Sequence, residues 1–503
     1  MGEPGTGLAP VALTCRYDAV ARSALATAVV LALCALSAPS HAKEEEPEPK
    51  EGDVERPPVE ADEPLPPGDE KRPPPGYVEP DRGVVDAALW VPRVVLFPIY
   101  AVTEYGISRP AGTIFTWAER NHIRERYFEF FTFDEDRKIG LYPTFTIDLG
   151  LSTTVGAYFV WNDALGSSDL KLRVTTGGLD LWTVNTLFHT PIDQSSYVRW
   201  NADYARRPDS TFYGLGREIR HDGAHYLAER FSGRVSFVEQ LQRVVVGVSA
   251  GVVADRFDPG PDGVSDEALA DAIASGRLEA PPALEDGLLA VFTGVGARFD
   301  TRPPRRPPHG ELRDLQRDHR SGVAIGLQAT QFAGLRSTRA TVNDDARVPH
   351  WLRYGGAVAY ALDLTGTQRT LQLDALYAAV EPLPTDNPVP FTQQISLGGS
   401  YPLRAFVGGR LIAESALVTT LSYNWPLLPD LDGTLTYSVG NVFARHLSDF
   451  DIGHCRSSYG IGMETVASLD HPFEILLAVG TKPFDEGGGL DTVRFVFGTS
   501  AAF

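Results

Sequence analysis

Cysteine is scarce in this sequence. Three occur in 503 residues: Cys15, Cys34 and Cys455. A disulfide-stapled scaffold is therefore excluded, and a lone Cys455 beside His454 is too small a set to ligate a metal. Basic charge is also short, with 45 Lys and Arg against 65 Asp and Glu and a net charge of −20. That balance argues against nucleic acid as a partner, which requires a basic face. Long apolar runs are missing as well. The longest, Ala24–Leu36, is too short to span a bilayer. The G-x-S-x-G match Gly247-Val248-Ser249-Ala250-Gly251 falls inside the alternating Val244–Val252 segment and not at a strand-to-helix elbow, the histidines are scattered, and no Ser/His/acid grouping stands out. No enzymatic activity and no cofactor are expected.

The short apolar run has a clear use. Arg22 precedes it and Ser40-His41-Ala42 follows it. This is the order of a secretory signal peptide, with cleavage expected after Ala42, so residues 1–42 are read as an export signal. Cys34 follows Leu33, which is too large for a lipoprotein processing site. Only Cys455 then remains in the exported chain. Residues 43–82 are rich in proline and carboxylates, with almost no large apolar side chains. Such a stretch cannot offset its ordering entropy and reads as a disordered periplasmic linker. Residues 83–136 differ, being dominated by apolar and aromatic side chains. Pro92, Arg93, Pro98 and Glu104 interrupt them, so no transmembrane helix is expected there. Amphipathic helices at the inner membrane face, or packed beneath the next domain, fit better, with Trp90, Tyr100 and Trp117 suited to an interface.

From Arg137 onward the chain alternates. Ile139, Leu141, Pro143, Phe145 and Ile147 oppose Gly140, Tyr142, Thr144, Thr146 and Asp148. Val493, Phe495 and Phe497 oppose Thr492, Arg494 and Gly498. Period two places one apolar face on one side of a strand. Sixteen such segments begin near residues 138, 151, 168, 180, 196, 225, 241, 287, 319, 354, 368, 411, 432, 456, 472 and 490. An even count, short turns alternating with longer polar loops, and 50 aromatic residues (25 Phe, 18 Tyr, 7 Trp) predict an all-β, 16-stranded antiparallel barrel with its apolar face in lipid over 137–503. In lipid every backbone polar group must pair, so the sheet must close. The last segment runs to Phe503, with Phe495 and Phe497 at even spacings before it, which resembles the terminal recognition signal of outer-membrane proteins.

Four passages carry a resemblance to a family. They are Phe212-Tyr213-Gly214-Leu215-Gly216 with Tyr226; Phe299-Asp300-Thr301-Arg302 with Gly310; Leu397-Gly398-Gly399 followed by Leu403-Arg404-Ala405-Phe406 and Gly409; and Tyr423-Asn424-Trp425-Pro426-Leu427 followed by Gly440-Asn441-Val442. In order and spacing they resemble the bacterial surface antigen barrels, the family of BamA and TamA. The resemblance implies a long extracellular loop folding back into the lumen, with Leu403, Arg404, Ala405 and Phe406 at its tip. It also implies that Arg404 ties the loop to lumenal acidic and aromatic groups, and that the seam between first and last strands opens to template a client strand. The departures are specific: Ala405 stands at the motif glycine, and Ser438, Thr436 and Ser422 stand where the family has an acidic, an aromatic and a glutamate residue. The usual carboxylate for Arg404 is thus missing. Asp300 and Glu414, both on lumen-facing positions, are the candidate substitutes at the lock, beside Ser438. About 60 residues separate Gly76 from Arg137, too few and too helical in character for a POTRA domain, so the resemblance is to a POTRA-less branch.

Pro143 interrupts the first strand. Proline cannot donate to a ladder, so it belongs at an edge or bulge, and there it weakens the seam. It fits equally a proline that merely faces a turn. Two functions remain open on these residues. One is assistance in inserting or transporting client proteins or lipids at the outer membrane, by an exported, monomeric barrel. The other is a passive channel or structural barrel whose loop is a plug.

Overall fold

The computed structural model describes residues 123–499, apart from 135, 137, 217–218, 220–221, 261–266, 303–320, 337–346, 365–368, 385–388, 401, 429–430 and 466–472, together with Phe97 and Tyr105. The expected signal peptide and linker, most of the 83–136 segment and Phe503 lie outside the described residues.

A helix, α1 (Ile123–Phe131), precedes β1 (Ile139–Asp148), β2 (Thr154–Trp161), β3 (Asp169–Thr176), β4 (Trp182–Pro191), β5 (Ser196–Phe212), β6 (Ala224–Leu241) and β7 (Val244–Asp258). A short helix, α2 (Leu269–Ala274), leads to β8 (Leu288–Asp300), β9 (Gly322–Gly334), β10 (His350–Asp363) and β11 (Thr370–Pro382). Next come two three-residue strands, β12 (Ile395–Leu397) and β13 (Leu411–Ala413). The chain then runs through β14 (Ser415–Leu428), β15 (Leu431–Phe443), β16 (Arg456–Thr465), β17 (Phe473–Thr481) and β18 (Leu490–Thr499). β12 and β13 pair only with each other; the remaining sixteen strands close into one antiparallel barrel in which β1 meets β18.

Each barrel strand starts within four residues of the position set by alternation. The largest offsets are β10, expected at 354 and found from His350, and β14, expected at 411 and found from Ser415. The second has a physical cause: residues 411–413 are extended but belong to β13, inside the preceding loop, so period two runs unbroken across two different sheets.

The barrel's outer face is apolar. In β1, Leu141, Pro143 and Ile147 are exposed, whereas Gly140, Tyr142, Thr144 and Asp148 are buried. Val248, Val295, Leu327, Val358, Leu373 and Val493 continue the exposed apolar surface on other strands. A belt of this extent is far beyond the isolated apolar residues of a water-soluble surface. Closure satisfies the backbone, leaving the side chains to meet the surrounding medium. Among the described residues no helix is long and apolar enough to cross a membrane, which does not bear on a barrel crossing with strands.

The interior is filled rather than open throughout. One apolar cluster joins Leu403, Ala405 and Phe406 of the β11–β14 loop to Leu476, Ala478 and Val496 of the wall. It extends to Phe332 and Trp351, whose rings stack at 4.8 Å. A second cluster lies at one mouth of the barrel, where Leu269 and Ala272 of α2 cover Phe212, Tyr226 and Phe257. Phe391 of the β11–β14 loop inserts among those three rings, with centroids 5.0 to 5.8 Å away. Full burial of one such phenylalanine is worth about 1.5–3 kcal/mol.

Small residues make room for large ones along the wall. At Gly433 an added Cβ would lie 2.3 Å from the Trp425 ring, and that ring is itself stacked on Tyr423 at 5.6 Å. Gly433→Ala should therefore displace Trp425 and cost about 1–3 kcal/mol. The check is the temperature at which the folded barrel loses its faster gel mobility; an unchanged midpoint would show that Trp425 is not seated on this strand.

Candidate functional site: the loop lock and the barrel seam

The loop between β11 and β14 is fastened first at its base. Phe391 is buried in the mouth cluster, and the Thr392 hydroxyl donates to Asp255 Oδ2 at 2.6 Å. The β12–β13 pair then carries the chain inward as a short ribbon. Its tip needs glycine: Gly398 has φ +101°, and an added Cβ there would sit 2.5 Å from the Val407 carbonyl oxygen. Leu403 is also left-handed, at φ 59°. For a non-glycine residue this costs roughly 1–2 kcal/mol. Complete burial of its side chain offsets that cost.

The tip is then bonded to three consecutive wall strands. The Ala405 N–H donates to Ser458 Oγ on β16 at 3.1 Å, and the Thr492 hydroxyl on β18 donates to the Ala405 carbonyl at 2.9 Å. Arg404 pairs with Glu474 on β17, both side chains being largely buried. Phe406 is fully buried, and Gly480 on β17 leaves its space: a Cβ there would lie 2.7 Å from the ring. Arg410 and Arg456 flank the same ring at 5.9 Å each and converge on Asp491, at 3.1 Å from each guanidinium.

One more guanidinium joins the loop to the seam. Arg494 on β18 donates to the carbonyl oxygens of Arg404 (2.8 Å) and Gly399 in the loop. Its other edge forms a two-pronged pair with Asp148 on β1, at 2.8 and 2.6 Å. The pair is nearly inaccessible to water, with side chains 7% and 10% exposed. Such forked, charge-assisted bonds are the strongest polar contacts available to a protein.

Of the residues expected at the lock, Leu403, Arg404, Ala405 and Phe406 lie together at the tip. The carboxylate that meets Arg404 is Glu474, which sequence reasoning missed. Asp300 lies at the β8 end, where Arg298 and Arg302 hold it at 2.6 and 2.8 Å. Glu414 pairs instead with Arg445 at 2.8 Å, and Ser438 hydrogen-bonds Thr420 at 2.9 Å. A signal for Glu474 did exist: it is the single charge in the otherwise apolar run Phe473–Gly480. Leu476 and Ala478, also buried on that face, are apolar because the loop tip covers them.

The seam is where β1 meets β18, and among the described residues the two pair from Thr146–Gly498 to Asp148–Val496. Outside, Phe145 and Phe497 cover it at 5.2 Å, and Phe495 stacks on Phe497 at 6.5 Å. At the start of β1 the edge also meets the chain's own preceding segment. The Phe133 N–H donates to the Ile139 carbonyl at 2.9 Å, and Thr132 bridges Gly140. Backbone groups alternate between the two edges of a strand. The Leu149 N–H reaches Phe495 on β18, and the Lys138 carbonyl reaches Asn162 next to β2. Odd positions of β1, Pro143 included, therefore address the seam edge. Pro143 sits between the two paired stretches, where it withholds no donor from a described partner.

A scan against protein-family models finds no match, and a search of curated proteins finds none either. Among solved structures the barrel is similar to BamA from Haemophilus ducreyi lacking POTRA domains 1–3, at 15% identity over 72% of this chain and 70% of that one, with a TM-score of 0.47. It is similar to CdiB from Acinetobacter baumannii at 8% identity over 72% and 59% of the two chains, TM-score 0.43. CdiB from Escherichia coli follows at 12% identity over 71% and 62%, TM-score 0.42. The chain thus spans less than two thirds of the length of either CdiB.

Two expectations follow from the lock. Arg404→Ala leaves Glu474 buried without its cation, a loss of about 3–5 kcal/mol. Proteolysis between 398 and 410 should accelerate accordingly, while Glu474→Gln added to Arg404→Ala should do little further harm. An unchanged digestion pattern would remove Arg404 from the lock. Separately, burial first, and then the Asp451 carboxylate, push the Cys455 thiol above its ordinary pKa. Near neutral pH it should carry less thiolate than an exposed cysteine and react slowly with maleimide until the barrel is denatured; equal rates folded and unfolded would contradict its burial.

Proposed function

We propose that this chain is an outer-membrane barrel that assists the insertion or transport of proteins or lipids at that membrane, and that the β1–β18 seam is its working edge. The observation that carries the proposal is the inward loop beside that seam, whose tip is bonded to β16, β17 and β18 and, through Arg494, to Asp148 on β1. The exposed apolar belt supports placement in a bilayer. The four sequence passages, and an inward loop whose Arg404 meets a lumenal carboxylate, support the likeness to surface antigen barrels.

Magnitudes restrict how such a seam works. In water a ladder bond is worth about 0.5–1.5 kcal/mol net. In hydrocarbon each unpaired backbone group costs several kcal/mol. An opened edge is therefore tolerable only when another strand replaces the lost partner, which is strand addition. The partners this implies are bilayer lipid and client outer-membrane chains, served by a single barrel. α1 and the Thr132–Phe133 bridge stand at the periplasmic end of the same edge, where a client strand would enter. The passive-channel reading draws on a water-filled part of the lumen, with the loop as plug.

A cysteine pair across the seam separates the two readings. Ile147 and Phe497 face each other, and directly opposed residues lie about 5.5 Å apart at Cα, within disulfide range. Ile147→Cys with Phe497→Cys, in a Cys455→Ser background, should give a folded, oxidised barrel that fails to maintain the host's outer-membrane protein and lipid profile, with recovery on reduction. A locked barrel that sustains the envelope as well as the open one would leave the channel reading.

A further inference from the structure

The lumen has a second compartment, distinct from the lock. It is a cavity of about 540 Å³ bounded by β1 to β10 and by Thr392 and Gln393 of the loop base. Five arginines line it, Arg173, Arg207, Arg230, Arg234 and Arg353, against two aspartates, Asp203 and Asp255. That excess of cations is opposite in sign to the whole chain, whose net charge is −20.

The two aspartates are outnumbered. Asp255 stands directly across from Arg230 in the β6–β7 register, yet it accepts from Thr392 at 2.6 Å and Gln393 at 3.4 Å. Asp203 accepts from the Asn185 amide at 2.8 Å. Arg207 is held by Asp209, outside the cavity, through two bonds of 3.0 and 2.9 Å. Arg230 hydrogen-bonds Tyr226, and Arg234 lies 5.3 Å above the Phe292 ring. Among the described residues neither Arg230 nor Arg234 has a carboxylate within ion-pair distance. Both are exposed to the lumen, four residues apart on the same face of β6, which is about 13 Å along a strand.

We propose that this chamber binds a soluble, multivalent oxyanion of the phosphate class, held mainly by Arg230 and Arg234. Guanidinium forks match the geometry of phosphate oxygens and bind them bidentately. A like-signed cluster inside low-dielectric walls concentrates its field on the enclosed water, which raises the local concentration of counter-ions. The Phe292 face under Arg234 and the Tyr226 hydroxyl beside Arg230 position both cations without neutralising them. The assignment is independent of whether the seam opens.

The test uses the full-length barrel in phosphatidylcholine nanodiscs, titrated calorimetrically with inorganic tripolyphosphate at low and at high salt. One saturable site that weakens as salt rises is expected. Arg230→Gln with Arg234→Gln should weaken it roughly tenfold or more, the scale of a lost charge-assisted contact. Arg445→Gln, which alters an ion pair outside the chamber, should leave it unchanged. Heat-modifiable mobility confirms that each variant is folded. Absence of a saturable site, or equal affinity in the double variant, would overturn the proposal. Loss of binding in discs that contain phosphatidylglycerol would assign the chamber to a lipid headgroup and overturn the soluble-ion assignment.

Discussion

The Arg494 guanidinium holds this barrel's two special features in one place. Its forked pair with Asp148 joins the last strand to the first across the closing seam of the barrel. Its remaining donor serves two carbonyls of the inward loop. Breaking a buried pair of this kind costs about 3–5 kcal/mol. The seam is thus closed by a side-chain pair as well as by its sheet bonds, and that pair shares its guanidinium with the loop. Loop position and seam integrity become one variable.

The rest of the lumen follows from that arrangement. Beneath β16 to β18 the wall is apolar where the tip lies on it, through Leu476, Ala478 and Val496, and charge meets the loop at Glu474, Arg494 and the Asp491 fork. On the opposite side the wall carries arginine and the space stays open. A loop held to one side by buried contacts leaves the other for water and ions. A loop that left its seat would expose Phe406, Leu403 and the apolar wall to that water, so its return is favoured by the same burial that seats it.

Most of the architecture was legible because period two is a local signal. Sixteen alternating segments appear in the chain and sixteen strands close the barrel, and Asp148 and Arg494 were both placed on the non-lipid face. What alternation does not carry is which inward residues meet. Asp148 and Arg494 are 346 positions apart, and only closure of the ring brings them together. The same limit hid Glu474. Ser438 occupies the position where the resembled family has an acidic residue, and the carboxylate that meets Arg404 sits on β17, two strands away. Asp300 looked equivalent because it also faces inward, but it lies at the far end of its strand, among its own arginines. The missing donor of Pro143 points to an edge or a turn, but not to the return of Thr132 and Phe133 to the start of β1.

Amide hydrogen exchange at the seam tests the shared-guanidinium account most directly, with Arg404→Ala compared against the unaltered chain. Arg404 meets Glu474 on β17 through its side chain and Arg494 through its carbonyl, so a seam that depends only on sheet bonds should ignore the change. The account predicts faster exchange at Ile147 and Leu149 in the variant, with β5 to β7 unchanged as an internal reference. Equal seam protection in the two proteins would mean that loop and seam are independent, and would contradict it.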